Sequence, residues 1–445
     1  MSELNKLAKS LKEIENQLTD CMKCGMCQAV CPVFKQTGNE GDVARGKIFL
    51  LERLADEMLT DAKGAKTRIE KCLMCGTCAA NCPSGVKILE IVLKARAALT
   101  EYIGLSPVKK LIFRGMLKHP ERMDALVHTA SRFQNLGTAK ADPNQGTRCS
   151  KLLSRVIGDR HFLPMAKTPF HKTYPTLNIP AGRSGLKVAF FPGCVTDKMN
   201  PEIGEAALKV FKHHGVGVFM PKGQACCGIP ALASGEQKTF DALLAHNAAL
   251  FAQEQFDYLI TPCATCTATI KEIWPMMAEA NAIEKFRADQ WAPKTMDISQ
   301  FLVDVLGVTP AQNSDAGSDA IEFSRGTVTY HDPCHLAKSL KVKSQPRDLI
   351  RANAGCTFVE MADADTCCGN GGSFNLQNYD LSKQIGMEKR RNILACGAAT
   401  VATSCPACMM QIRDVLSQNH DGVKVRHVIE IYADTIKDSP VGTDD

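Results

Sequence analysis

Two adjacent cysteines followed by glycine occur twice in this chain, as Cys226–Cys227–Gly228 in QACCGIP and as Cys367–Cys368–Gly369 in DTCCGNGG. Neighbouring thiols do not readily bridge to one another, and they make a poor core. Each pair belongs to a longer set. The first set is Cys194, Cys226, Cys227, Cys263 and Cys266; the second is Cys334, Cys367, Cys368, Cys405 and Cys408. Matching members lie 140, 141 and 142 residues apart, so the C-terminal part of the chain is a duplicated domain.

The segments around these cysteines alternate in type. LKVAFFPGC reads as a buried strand, PEIGEAALKVFKHHG as a helix closed by Gly215, and VGVFMP as a second strand. TFDALLAHNAALFAQE reads as a helix and FDYLITPCATC as a third strand; GTVTYHDPC, CTFVEMADADTCCG and AATVATSCPAC are the strands of the second copy. Strands alternating with helices predict an α/β unit with a parallel sheet. Every cysteine group then lies just past the carboxyl end of a strand, where open sheets place their ligands. Three strand ends bring five thiolates to one point, and the glycine lets the backbone turn so that both adjacent side chains face it. Five is one more than a cubane or a zinc site needs. The surplus points to bridging thiolates or to a cluster with an exchangeable ligand.

A different pattern precedes the duplication. CMKCGMCQAVCP contributes Cys21, Cys24, Cys27 and Cys31, and CLMCGTCAANCP contributes Cys72, Cys75, Cys78 and Cys82. Both runs are C-x2-C-x2-C-x3-C-P, which resembles the bacterial-type ferredoxins with two [4Fe–4S] cubanes. The resemblance implies one cubane on Cys21, Cys24, Cys27 and Cys82, and another on Cys72, Cys75, Cys78 and Cys31. Eight cysteines also suffice for two zinc sites, but zinc sites commonly use C-x2-C pairs far apart. The helical reading of RGKIFLLERLADEML between the runs favours an α-helical ferredoxin domain.

Of 21 cysteines, only Cys149, Cys356 and Cys396 stand outside these four groups, and they read as buried structural thiols. A chain of 445 residues that is 45% hydrophobic can bury a sizeable core and holds several domains. No apolar run is long enough to cross a membrane, and MSELNKLAKSLKEIENQL has no secretory h-region. It reads as an amphipathic helix with Leu4, Leu7, Leu11, Ile14 and Leu18 on one face. So many cysteines in a chain of this kind point to metal in a cytoplasmic protein. The net charge of +6 is mild and spread along the chain, which argues against a nucleic-acid partner. Thiolates held on metal would make the protein more acidic than that charge implies.

Together these motifs resemble the CCG-domain iron–sulfur subunits. That family includes the iron–sulfur subunits of glycolate oxidase and of respiratory D-lactate dehydrogenases, the catalytic subunit of heterodisulfide reductase, and an iron–sulfur subunit of anaerobic glycerol-3-phosphate dehydrogenase. GDVARGKIFLLERL, CPSGVKILEIVLKAR and VRHVIEIYAD are most similar to the glycolate oxidase and lactate dehydrogenase group. The resemblance implies an α+β multidomain chain. A two-cluster ferredoxin domain (1–98) is followed by a helical connector and linker (99–185) and two α/β CCG domains (186–310 and 321–445). It implies two cubanes and one or two further clusters, of the noncubane [4Fe–4S] type, on the five cysteines of each copy. The expected role is electron transfer within an oxidoreductase complex, from an FAD-containing partner that oxidises D-lactate or glycolate to a quinone or another carrier. The alternative is disulfide cleavage at a CCG-bound cluster, as in heterodisulfide reductase. A zinc-dependent scaffold is a third reading. The chain shows no G-x-G-x-x-G after a strand, no P-loop and no HExxH, so the flavin chemistry is assigned to a partner. No catalytic residue is assigned.

Other residues invite a role. His331 and His335 flank Cys334 and read either as hydrogen-bond donors to cluster sulfur or as loop packing. His213 and His214 end a helix and read as solvated or as interacting with its dipole. Lys198, Lys338, Lys341 and Lys343 lie near cluster loops and read as surface lysines or as docking charges for an acidic partner. The basic amphipathic stretch over 99–135 reads as a helix packed between domains, or as a peripheral contact with the inner face of a membrane. Residues 136–185 read as a linker, and 311–320 as an exposed loop between the copies.

Overall fold

The leucines and isoleucines of the N-terminus sit three and four residues apart, and that spacing decides how the first domain is built. The computed structural model describes residues 3–151, 158–278, 289–310 and 326–437, so the 311–320 segment lies outside the described residues. Leu7, Leu11, Ile14 and Leu18 are buried on one face, but a turn at Glu13 and Ile14 divides the expected helix into Glu3–Lys12 and Glu15–Thr19. This face packs on Ile48, Leu51 and Leu54 of helix Ala44–Ala55 and on helix Ile88–Ile103. Each such side chain contributes roughly 2 kcal/mol of burial. The ferredoxin motifs are therefore mounted on an all-helical frame.

Helix Ile88–Ile103 stops at Gly104, and the basic stretch beyond it folds as helical turns over Pro107–Leu117 and as helix Pro120–Gly137. Pro120 forces the break, because the residue before proline is pushed to extended backbone, as His119 is here. One face of this connector is a packing face. Phe113 and Leu117 meet Leu105 and Ala231, and Arg114 donates to both carboxylate oxygens of Glu236 at 3.1 and 2.9 Å. Asp124 takes an ion pair from Lys198 and lies 3.0 Å from His171. The opposite face leaves Val108, Leu111, Phe133 and Leu136 exposed.

The stretch read as a linker carries structure. Strands β1 (Thr138–Asp142), β2 (Thr147–Ser150) and β3 (His161–Phe162) form a small antiparallel sheet. It lies against helix Pro406–Gln418: the His161 N–H donates to Asp414 at 2.8 Å and the Gln145 amide to Val423 O at 2.6 Å. Further on, Phe170 packs so closely on Gly204 that a Cβ there would meet its ring at 2.6 Å. β4 (Leu177–Ile179) then joins the first repeat as an antiparallel edge. The segment straps the two repeats together. Strands of two to five residues without alternating apolar positions give no periodic signal.

The first repeat contains β5 (Lys187–Phe190), β6 (Gly217–Met220), β7 (Tyr258–Thr261) and β8 (Thr295–Asp297), and the second β9 (Gly326–Tyr330), β10 (Cys356–Phe358), β11 (Thr400–Thr403) and β12 (Lys424–His427). Sheet order is β4-β6-β5-β7-β8 in one and β10-β9-β11-β12 in the other, and all pairs except β4–β6 are parallel. Apart from β4, the two orders are the same, as the duplicated cysteine spacing requires. The repeats meet through the loops that follow β7 and β11. Ala264 N–H donates to Ser404 O at 2.9 Å, and His427 Nε2 donates to Pro262 O at 2.8 Å.

A second contact between the repeats lies away from the cysteines. Helix Pro201–His214 packs on helix Val428–Ala433, and His214 Nε2 lies 3.0 Å from the Tyr432 hydroxyl with the rings stacked. His213 is exposed, so only one of the two histidines is solvated as expected. Burial, then His213 and Arg183, push His214 down to about 4. The unfolded chain takes up a proton near 6.5 while the folded ring resists to about 4. Stability is therefore full above the higher value and is lost as pH falls through this window. The thermal midpoint should drop less between about pH 7 and about pH 5 in His214→Gln than in the parent; equal acid sensitivity of the two proteins would refute the assignment.

Candidate metal centres

Both ferredoxin-type loops have the same backbone. Lys23 and Gly25 in the first, and Met74 and Gly76 in the second, take left-handed conformations at matching positions. Each loop curls its first three cysteines inward. One recess is lined by Cys21, Cys24 and Cys27 together with Cys78 and Cys82. A second is lined by Cys72, Cys75 and Cys78 together with Cys31. The fourth cysteine of each run thus lies with the opposite run. Cys78 borders both recesses, and Cys24 is exposed at the outer end.

In the repeats, each group collects the ends of three strands. Cys194 follows β5, Cys226 and Cys227 follow β6, and Cys263 and Cys266 follow β7. Cys334, the Cys367–Cys368 pair, Cys405 and Cys408 stand at the equivalent points of β9, β10 and β11. Sulfur–sulfur distances are 3.7 Å for Cys194–Cys226 and Cys227–Cys266, and 3.8 Å for Cys334–Cys367. The glycine after each pair is required. Gly228 and Gly369 have φ of 94° and 93°, and a Cβ would come within 2.8 Å of Phe240 and 2.6 Å of Ser382 O respectively.

The thiols answer whether a metal fits. Cys226 is pushed well above the usual thiol range by Cys194 beside it, while Cys227 is pushed well below by hydrogen bonds from Cys226 and Cys266. Cys367 and Cys368 repeat this pattern, up beside Cys334 and down beside Cys367 and Cys408. Buried thiolates a few ångströms apart repel one another. All five can ionise only around positive charge, which iron supplies. Buried cations add to it. Lys47 lies beside Cys72 and Cys31, and Lys389, which donates to Asp363 O and Ala364 O, lies beside Cys368 and Cys367. Arg96, fully desolvated, donates to Cys72 O at 2.8 Å and Ala233 O at 2.8 Å, joining the ferredoxin domain to the first repeat. None of these three has a sequence signal; each sits in an ordinary helical pattern and is distinguished only by its burial.

The four groups form a row. Cys75 packs beside Cys367, which holds its thiol below the usual range, so the second ferredoxin group abuts the second repeat. Cys405 lies beside Cys263, with Thr265 Oγ1 3.4 Å from its sulfur, which brings the second repeat against the first. In space the order is therefore ferredoxin groups, second repeat, first repeat. Leu73, Val33, Phe374 and Ile385 seal the junction between Cys75 and Cys367 from water.

A cysteine-rich domain model matches residues 188–271 and 328–413, and a 4Fe-4S dicluster domain model matches 17–86. The chain is 32% identical over 250 residues to lactate utilization protein A of Exiguobacterium, covering 98% of that protein and 56% of this one. The chain belongs to the CCG-domain iron–sulfur subunit family. Over 439 residues it is 28% identical to a protein of Bacillus subtilis named for the iron–sulfur subunit of glycolate oxidase, with 94% of this chain and 96% of that one aligned. It is also 27% identical over 423 residues to one of the subunits of the CoM/CoB fumarate reductase of Methanothermobacter marburgensis, with 93% of this chain and 72% of that one aligned. It is an iron–sulfur protein with a dicluster domain and two cysteine-rich domains.

Several of the remaining sequence candidates have structural partners. His335 Nδ1 lies 3.3 Å from Thr265 Oγ1, across the boundary between repeats. Lys338 donates to Thr77 Oγ1 at 2.6 Å, across the ferredoxin junction, and Lys198 pairs with Asp124 and Asp197. Lys343 forms a long pair with Asp365, and Lys341 is exposed. Cys149, Cys356 and Cys396 are half-buried and lie outside the four groups. Gly228→Ala should destabilise the protein by about 1–2 kcal/mol from the left-handed backbone alone, read as a lower thermal midpoint with selective loss of iron from the first repeat. An unchanged midpoint would contradict the need for glycine.

Proposed function

We propose that the chain is the electron-transfer subunit of a 2-hydroxyacid dehydrogenase, taking electrons from an FAD-containing partner that oxidises D-lactate or glycolate and delivering them to a quinone or another carrier. The observation that carries this reading is the continuous row of four thiol groups, exposed at Cys24, half-buried through the rest of the ferredoxin groups and at Cys194, and buried at the other cysteines of the repeats. When bound, iron–sulfur clusters supply one-electron transfer at potentials set by charge, hydrogen bonds and solvent exposure. In the ferredoxin domain (1–98), Cys21, Cys24, Cys27 and Cys82 hold one cubane, and Cys72, Cys75, Cys78 and Cys31 the other. The five cysteines of each repeat (186–310 and 321–445) hold a noncubane cluster. Lys47, Arg96 and Lys389 offset the thiolate charge, and the apolar seal at Leu73 and Phe374 keeps water from the transfer path.

The connector (99–185) adds a surface. Val108, Leu111 and Ile112 are exposed beside Lys109 and Lys110, a composition suited to the anionic inner face of a membrane. No helix of the described residues is long and apolar enough to cross a membrane, so such contact is peripheral. A second reading, disulfide cleavage at a repeat, is favoured by one observation: both repeats keep all five thiols, although a relay needs only four per cluster.

Alone, the anaerobically purified chain should not oxidise lactate or glycolate with a dye acceptor. Adding the flavoprotein partner should restore turnover, and the complex should sediment with vesicles rich in anionic lipid. Substantial turnover by the isolated chain would overturn the subunit reading. Dye-driven disulfide reduction by the isolated chain would favour the second.

A further inference from the structure

The two repeats share a backbone and differ in one donor. His331 stands three residues before Cys334, on the way out of β9, and its N–H donates to Ala402 O at 2.8 Å. Phe191 holds the same place before Cys194, with the matching bond to Ile260 O at 2.9 Å. Phe191 is core, packed on Phe251 with ring centroids 6.1 Å apart. His331 is equally buried, at 0% exposure, and neither of its ring nitrogens has a hydrogen-bond partner of ordinary geometry among the described residues. A buried imidazole left unpaired is costly and calls for an explanation. The ring faces sulfur: one of its nitrogens and the sulfurs of Cys368 and Cys408 all lie within 4.8 Å of one another, the spacing of donors to one metal.

We propose that His331 is a nitrogen ligand to iron in the second repeat, bound beside Cys368 and Cys408. The first repeat then offers thiolates only, and the second offers thiolates and an imidazole. A neutral imidazole removes less positive charge from iron than a thiolate does, and histidine ligation raises cluster potential relative to all-cysteine ligation. The repeat whose thiols adjoin those of the ferredoxin domain would thus differ in redox character from the one at the end of the row. This inference rests on the reading that the second repeat holds a cluster, and the two are separable by experiment.

The test uses the full chain, purified and crystallised without oxygen, with an iron anomalous map. The expected result is an iron at bonding distance from a His331 nitrogen, with Cys368 and Cys408 on the same metal. Iron present in the second repeat but with His331 at hydrogen-bond distance from a sulfur would overturn the ligand assignment and leave the cluster reading intact. No iron in the second repeat would sink both. In solution, His331→Gln should alter the Mössbauer signature of one iron site and leave the signals of the ferredoxin domain and the first repeat unchanged. A spectrum identical to that of the parent would refute the proposal independently of crystals.

Discussion

Mutual repulsion among buried thiolates is the constraint on which the rest of this structure depends. Ten cysteines in two groups, nine of them buried, cannot all ionise without a positive centre, because buried thiolates a few ångströms apart repel one another. Metal binding and folding are therefore coupled in this chain. The strands, the glycines after each pair and the buried lysines and arginine serve to hold sulfur where iron can neutralise it.

Duplication places two such groups side by side, and the second ferredoxin thiol group adjoins that of the second repeat. Three proximities set the order: Cys78 borders both ferredoxin recesses, Cys75 lies beside Cys367, and Cys405 lies beside Cys263. Polar ties such as Lys338 to Thr77 and His427 to Pro262 keep these boundaries fixed. Rigid spacing matters for a relay, whose thiol groups must stay in contact while a partner docks and leaves.

The cysteine spacing carried the repeat, because metal coordination imposes local spacings that survive in sequence, and the alternation of strands and helices carried the parallel sheets. Strand ends at Cys194, Cys263 and Cys405 followed from apolar runs broken by proline or glycine. Contacts between distant segments were not legible. Nothing in the chain order places Cys75 against Cys367, since that depends on how helical and α/β domains dock. The strap of β1 to β3 was read as a linker because its strands are too short for a period. Arg96, Lys47 and Lys389 were missed because burial of a charge is a tertiary property. His331 was noticed for its neighbour Cys334, but its lack of a partner needed the fold.

Iron in all four thiol groups is the central claim. Iron and sulfide analysis of the anaerobically purified full chain, with Mössbauer spectroscopy on the same sample, tests this directly. Four clusters predict about sixteen iron atoms per chain, four to each cluster, with a component distinct from the cubanes. About eight iron atoms with cubane signals alone, or zinc in place of iron, would contradict it.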